Sequence, residues 1–431
     1  MTMRVTLLGA TTVRFAVLVA AFVTSVLVAR NLGAEARGIF QIVLTTSLLV
    51  ASMGGLSGEL GFAELLTRRG AMSRQRVLGT LSYCSVLWGI ILGFLALATG
   101  LGAHQLGGLQ LDPLSDRTGL LLVGGFVTTT VANTWLQRAL HLQGRAAVAA
   151  ACSLAEVLVA LIVVLHGLAS DSLSLQRVLG GTLAGSALAA LLALTATRSP
   201  ISSVDFAVLA RGLRAGVKFH LSQVALQMLT RLDILLLGLL AGAASVGHYA
   251  VAVSITAPLA VLASSMASTF LNRQFVDSDS EAAEFTLKLV VVTAVLVGAF
   301  ALVVAVVAWP AIPALWGEAF TDSRVVLVVL LPGVVALAAQ RPLGHLFVRH
   351  GAARAMTSRA LVALAVSVVL GLALIPPFGA VGAAAACTCA YLVYAAISWR
   401  HFTTLTDHTT GDLWQAFNVF DRTTANRWER K

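Results

Sequence analysis

The sequence predicts an all-α polytopic membrane protein, with about twelve transmembrane helices in two six-helix bundles related by a pseudo-twofold axis. Three observations predict it. Of 431 residues, 58% are hydrophobic and 11% charged, and the mean hydropathy is +0.90, far from the composition of a soluble domain. Apolar windows of about 20 residues, the length that crosses about 30 Å of hydrocarbon, recur along the whole chain. A short stretch also occurs twice. Ala29 to Phe40, reading ARNLGAEARGIF, returns 209 residues later as Gly238 to Tyr249. Gly33 then falls on Gly242, Ala34 on Ala243, Gly38 on Gly247 and Phe40 on Tyr249. Self-similarity at so long a period indicates duplicated halves, a frequent plan of secondary transporters, not a solenoid.

In order, the windows are 6–29, 38–62, 77–102, 118–138, 146–168, 177–197, 213–239, 246–271, 285–309, 324–348, 355–375 and 380–399. The first two flank the ARNLG stretch, whose Gly33 and Gly38 read as turn and close-packing residues, as do Gly242 and Gly247, with Tyr249, between the seventh and eighth. The fourth and fifth are joined by a tight turn. Its Leu140, Gly144 and Ala146 match Phe347, Gly351 and Ala353 after the tenth window, at an offset of 207. The sixth ends at a link around 198–214. Trp309, Trp316 and Trp399 stand near window ends, where Trp anchors the membrane interface. The expected domains are an N-terminal six-helix lobe (1–200), a C-terminal six-helix lobe (201–400) and a cytoplasmic tail (401–431). In the tail Leu413, Phe417 and Phe420 share a helical face that suits the inner leaflet, the alternative being disorder.

Charge sets the orientation. With the N-terminus inside, cytoplasmic segments hold 22 Lys and Arg, whereas the opposite side holds five: Arg30, Arg37, Arg117, Arg177 and Arg324. That bias places both termini in the cytoplasm. It also accounts for the net charge of +10 without nucleic acid. Cys84, Cys152, Cys387 and Cys389 all lie in apolar runs and read as packing residues rather than disulfide or zinc ligands. The first window is long enough to span and lacks a small-residue cleavage site, so no cleaved signal peptide is expected.

Ionisable groups inside a membrane normally face a cavity or a partner. The seventh window holds the densest set. His220, Gln223, Gln227, Thr230 and Arg231 fall within about a 100° arc of one helix face. Asp233 projects elsewhere and needs its own partner. The 209-residue offset maps Gln223 onto Arg14 and His220 onto Thr11. Arg14 lies about 12 Å of helix from the cytoplasmic end of its span, too deep to snorkel. A positive lining suits a phosphate-bearing substrate, because the guanidinium fork matches phosphate oxygens. Arg14, Lys218, His220, Gln223, Gln227 and Arg231 are therefore the candidate substrate-binding residues. Other readings stay open at each. Arg14 can pair with Glu59 or Glu156, Arg231 can meet a carbonyl at a helix break, and Lys218 can snorkel. Gln223 and Gln227 can join helices. Asp233 can couple an ion or brace the lobe.

Four motifs then resemble one family. The run from Ala29 to Phe40 is similar to the ARxLGxxxxGxF signature of bacterial polysaccharide flippases. Asp233 with Val246-Gly-His-Tyr249 resembles their second-lobe motif, Leu315-Trp-Gly-Glu-Ala-Phe320 their LFGxxF, and Phe378-Gly-Ala-Val-Gly-Ala-Ala their GxxGAA. The resemblance is to the flippases of the multidrug/oligosaccharidyl-lipid/polysaccharide superfamily. It implies a cavity that opens alternately inward and outward, and an undecaprenyl-pyrophosphate-linked oligosaccharide moved across the cytoplasmic membrane for cell-surface polysaccharide. It carries over Asp233 as the characteristic carboxylate of the seventh helix and the motif glycines as structural residues; Arg14 belongs to no motif.

The leading expectation is this flippase, with no enzymatic activity, no metal and no cofactor beyond H+ or Na+ coupling. Its expected partners are membrane lipid, the lipid-linked oligosaccharide, and glycosyltransferases or a polymerase of the same pathway. A cation-coupled exporter of drugs or metabolites is the alternative, with a non-transporting envelope-assembly scaffold behind it. A membrane glycosyltransferase needs a sizeable polar loop facing the sugar, and the sequence has none.

Overall fold

Within hydrocarbon, only helices and closed barrels satisfy every backbone N–H and C=O internally. This chain uses helices throughout its described residues, which in this computed structural model are 2–67, 73–105, 117–269, 278–350, 352–406, 408–409 and 411–412. The helices are α1 (Thr2–Gly54), α2 (Gly58–Thr67), α3 (Arg74–Gln105), α4 (Arg117–Leu142), α5 (Ala146–Ala169), α6 (Leu175–Ala196), α7 (Phe206–Leu229), α8 (Leu232–Thr269), α9 (Asp279–Trp316), α10 (Ser323–Ala339), α11 (Arg341–Arg349) and α12 (Ala353–Leu405). Among the described residues, nine segments are long and apolar enough to cross a membrane. Their side chains include fully apolar groups left in the open, such as Phe94, Ile162, Leu302 and Val306. In a bilayer such faces meet lipid tails, which are as apolar as leucine.

Three of the nine segments, α1, α8 and α12, are broken within by Gly33, Gly242 and Gly379; α1 and α12 each carry parts of two expected windows, whereas α8 holds only 232–239 of the seventh, most of which lies in α7. The first two breaks are copies of one another. Gly33 has φ 81° and ψ −179°, and Gly242 has φ 79° and ψ 172°, a conformation that a Cβ disfavours. Side chains show that the chain turns back at both. Twelve residues of straight helix span about 18 Å, yet Arg37 Nη2 donates to Ser25 Oγ at 3.1 Å. Sixteen residues span about 24 Å, yet the Tyr249 hydroxyl donates to the Asp233 carboxylate. In α12, Arg359 Nη1 donates to Ser398 Oγ at 2.9 Å from 39 residues away.

The two hairpins pack reciprocally. A Cβ at Gly38 would lie 1.7 Å from the Ala243 carbonyl oxygen, and one at Gly247 would lie 2.0 Å from that of Ala34. Since Ala34 and Gly38 are the repeat equivalents of Ala243 and Gly247, residue i meets j where j meets i, the signature of a local twofold contact. Backbones come this close only where side chains are absent.

The chain divides into two compact units, Met1–Ala250 and Val251–Lys431. In the first, a cluster of Ala132, Leu136, Leu140, Ala149, Cys152 and Ala193 joins α4, α5 and α6. Gly144, at φ 75°, makes the tight turn expected between α4 and α5. The segment before α7 is tied to α3: Tyr83 donates to the Ser199 carbonyl at 2.8 Å, and Asp205 N–H to Thr80 Oγ1 at 3.0 Å. The Asp205 carboxylate then accepts from the Ala207 and Val208 N–H groups and starts α7. In the second unit, a capping box of Ser278 and Glu281 starts α9. A core of Ala282, Leu287, Val291, Leu343, Leu346, Phe347 and Phe402 binds α9, α11 and α12 together.

Three expectations are corrected. The window 38–62 is interrupted at Gly55–Ser57, between α1 and α2. The window 213–239 is interrupted at Thr230–Arg231, between α7 and α8. There the Thr230 hydroxyl bonds back to the Leu226 and Gln227 carbonyls at 3.2 Å, competing with the helical ladder. Trp316 is 2% exposed, so it is a core residue and not an interface anchor. Residues 413–431, which hold the expected amphipathic face of the tail, lie outside the described residues.

Candidate functional site

The first unit holds a pocket of about 250 Å³, lined by Leu48, Ala51 and Ser52 of α1, by Gly55, Ser57 and Glu59 at the break, by Thr130, Val131, Thr134 and Trp135 of α4, and by Gln223, Val224 and Gln227 of α7. The break makes the site. After Gly54, Leu56 (φ 50°) and Ser57 (φ 48°) both enter the left-handed region, which costs an L-residue roughly 1–2 kcal/mol. Strain of this kind persists only where its surroundings hold it. Here α7 does so: a Cβ at Gly216 would lie 2.5 Å from the Ser57 carbonyl oxygen and 2.6 Å from that of Leu56. One turn away a Cβ at Gly61 would lie 1.9 Å from the Gly212 carbonyl oxygen. Phe62, fully buried, stands 5.8 Å from the ring of Trp135. Small residues thus seat α2 against α7, and the aromatic pair fixes α4 beside them.

What results is a lining of two amides, four hydroxyls and a carboxylate on an apolar floor. Among the described residues, Glu59 is its one ionisable group. Such an arrangement offers donors and acceptors for a hydroxyl-bearing ligand.

The expected binding residues separate into three groups. Gln223 and Gln227 line the pocket. His220 Nδ1 lies 3.4 Å from Ser57 Oγ, which ties α7 to the strained break beside the pocket. Lys218 Nζ lies 3.6 Å from a Glu64 carboxylate oxygen and remains mostly exposed. Arg231 is half-buried at the break between α7 and α8. The side chain of Arg14 lies outside the described residues. Glu156, on α5, packs against α6, where a Cβ at Gly185 would lie 2.3 Å from its carbonyl oxygen. Asp233 is buried and takes the Tyr249 hydroxyl across the second hairpin, the partner that its position demanded. Exposed ion pairs contribute about 0–1 kcal/mol, so Lys218→Ala is expected to lower thermal stability by no more than that. A larger drop in chemical or thermal melts would make this pair structural.

Sequence reasoning missed Glu59 as a lining residue, and with it Ser52, Thr130, Thr134 and Trp135. The signal for the break was present: Gly54-Gly55-Leu56-Ser57-Gly58 is a turn-forming cluster inside an apolar window.

Helices broken in pairs, two equivalent hairpins and a pocket at a helix break define a polytopic membrane protein built on a repeat. Solved structures share this fold. A lipid II flippase MurJ in an inward closed conformation aligns with a TM-score of 0.70 at 15% identity, over 94% of this chain and 89% of that one. An inward-facing multidrug resistance MATE family transporter of the MOP superfamily aligns at 0.58 and 15%, over 95% and 99%. The Vibrio cholerae MATE transporter VcmN in the bent form aligns at 0.50 and 12%, over 95% and 99%. By sequence, no curated protein matches. The profile of the family described as polysaccharide biosynthesis protein matches residues 8–271, and the chain belongs to that family.

Proposed function

We propose that the protein flips an undecaprenyl-pyrophosphate-linked oligosaccharide from the inner to the outer leaflet of the cytoplasmic membrane by alternating access, for cell-surface polysaccharide assembly. The observation that carries this reading is the family match over residues 8–271. The pocket supports it, since amides, hydroxyls and a carboxylate suit sugar hydroxyls. Both termini face the cytoplasm on this reading, from the excess of basic residues on that side. Arg14 and Arg231 bind the pyrophosphate, Gln223 and Gln227 the sugar, and Asp233 braces the second hairpin. The protein acts as a transporter and not as an enzyme, alongside glycosyltransferases or a polymerase that make and consume its cargo.

Translocation of a fluorescent polyprenyl-pyrophosphate sugar in reconstituted vesicles tests this. The parent is expected to flip the lipid. Arg14→Ala, Arg231→Ala and Gln227→Leu, at equal insertion, are expected to slow it at least about tenfold, the effect of losing one charged or bidentate hydrogen bond. Variants that match an active parent would remove these residues from the site.

One observation favours a second reading. The pocket's own ionisable group is Glu59, the sign that a cation-coupled exporter needs. Efflux of cationic compounds that Glu59→Gln abolishes would establish the exporter; lipid flipping that survives Glu59→Gln would set it aside.

A further inference from the structure

Among the described residues, two arginines of the second unit have no carboxylate partner. Arg359, on the first turns of α12, is 2% exposed. Its guanidinium lies 4.7 Å from the Phe347 ring centroid and 4.8 Å from that of Tyr394. Nη1 donates to Ser398 Oγ at 2.9 Å, whereas Nε has no hydrogen-bond partner. Nη2 faces α11 at Gly344, where even an added Cβ would lie 4.0 Å away. One turn before Gly344, Arg341 opens α11 with its side chain exposed, and its Nη1 donates to Ser264 Oγ at 2.8 Å. Arg341 stands one turn from Gly344, the α11 residue that faces Arg359, so the two arginines share one locality.

Among the described residues, the acids near this end of the unit are engaged elsewhere. Asp279 pairs with Arg349 at 2.7 Å, Glu284 with Lys288 at 2.5 Å, and Glu281 closes the cap of α9. An excess of basic residues on the cytoplasmic side explains an arginine that snorkels into water. It does not explain one enclosed between two aromatic rings. A buried cation without a counter-charge is costly, and in a membrane protein it marks a place where an anion arrives.

We propose that Arg341 and Arg359, with the Ser264 hydroxyl, form an anion site for a phosphate group. Arg359 is held rigid by its aromatic sandwich and supplies a fixed positive field. Arg341 is the accessible fork that grips the phosphate oxygens in charge-assisted, bidentate fashion. That the phosphate belongs to a polyprenyl pyrophosphate, and not to the head group of an anionic phospholipid or to free phosphate, rests on the flippase reading.

The test is binding to the full-length protein in zwitterionic nanodiscs, with three probes: farnesyl pyrophosphate, inorganic pyrophosphate and phosphatidylglycerol. Arg341→Gln is expected to weaken the preferred probe about tenfold, and Arg341→Lys less, because it keeps the charge but loses the fork. Arg349→Gln, which breaks the Asp279 pair, is expected to leave binding unchanged. Equal affinity of parent and Arg341→Gln for all three probes would overturn the site, as would an equal loss in Arg349→Gln. Arg341-dependent binding of farnesyl pyrophosphate alone supports the lipid-linked cargo. The same dependence for inorganic pyrophosphate supports a phosphate site indifferent to the tail, and for phosphatidylglycerol a site for a phospholipid head group. A parent that binds through Arg341 but flips nothing keeps the site and loses the flippase reading. A parent that flips while Arg341→Gln binds as well as it does loses the site alone.

Discussion

Gly247→Val is expected to destabilise the protein by about 3 kcal/mol, the upper part of the range for overpacking a close contact, and Gly38→Val by a similar amount. The obstacle in both cases is backbone. A Cβ at Gly247 would lie 2.0 Å from the Ala34 carbonyl oxygen and 2.7 Å from its carbon, and one at Gly38 would lie 1.7 Å from the Ala243 carbonyl oxygen. No rotamer change relieves such a clash, so the hairpins must part. Parting them once suffices for both sites, and the double variant is therefore expected to cost less than the sum. Thermal unfolding in detergent measures this. Gly180→Ala is the control: that glycine has open space around it, and replacing glycine inside a helix stabilises by roughly 0.5–1 kcal/mol. If either valine variant melted with the parent, the reciprocal seam would be wrong.

Tyr249→Phe is expected to cost about 2 kcal/mol, the value of a hydrogen bond to a charged group. Asp233 is 5% exposed and its carboxylate accepts the Tyr249 hydroxyl from sixteen residues along the chain. Removing the hydroxyl deprives a buried charge of a donor without altering the shape of the ring. Asp233→Asn keeps an acceptor and is expected to cost less, about 1 kcal/mol. The pair separates two roles. For a brace, loss of transport in both variants follows their loss of stability. For an ion-coupling site, Asp233→Asn abolishes gradient-driven transport while it melts close to the parent, and Tyr249→Phe keeps coupling.

The membrane class and the repeated hairpin were legible because both rest on one-dimensional properties. Hydropathy over about 20 residues reports the thickness of a bilayer. A recurrence such as Gly33 with Gly242 survives because a left-handed break admits little besides glycine. The pairing of Asp233 was legible as a need and not as a name. Tyr249 answers it only because the chain reverses at Gly242.

The pocket was half legible. Gln223 and Gln227 stood out as amides in an apolar run, but Glu59, Thr130, Thr134 and Trp135 come from other helices, and no spacing along the chain relates them to α7. Window averages also hid both helix breaks. Gly55–Ser57 and Thr230–Arg231 sit inside stretches whose mean hydropathy stays that of a span. The same holds for Arg341 and Arg359, which along the chain read as two of many cytoplasmic arginines.

By itself the sequence determined that this chain crosses a membrane many times, that its two hairpins are copies, and which glycines turn them, since transfer free energy and backbone sterics act residue by residue. Only the tertiary structure decided that the copies meet at Gly38 and Gly247, that α2 and α7 close a pocket around Glu59, and that Arg359 is enclosed by Phe347 and Tyr394. Those contacts join residues between about a dozen and about two hundred positions apart, and their energies depend on packing between helices, which no local pattern encodes.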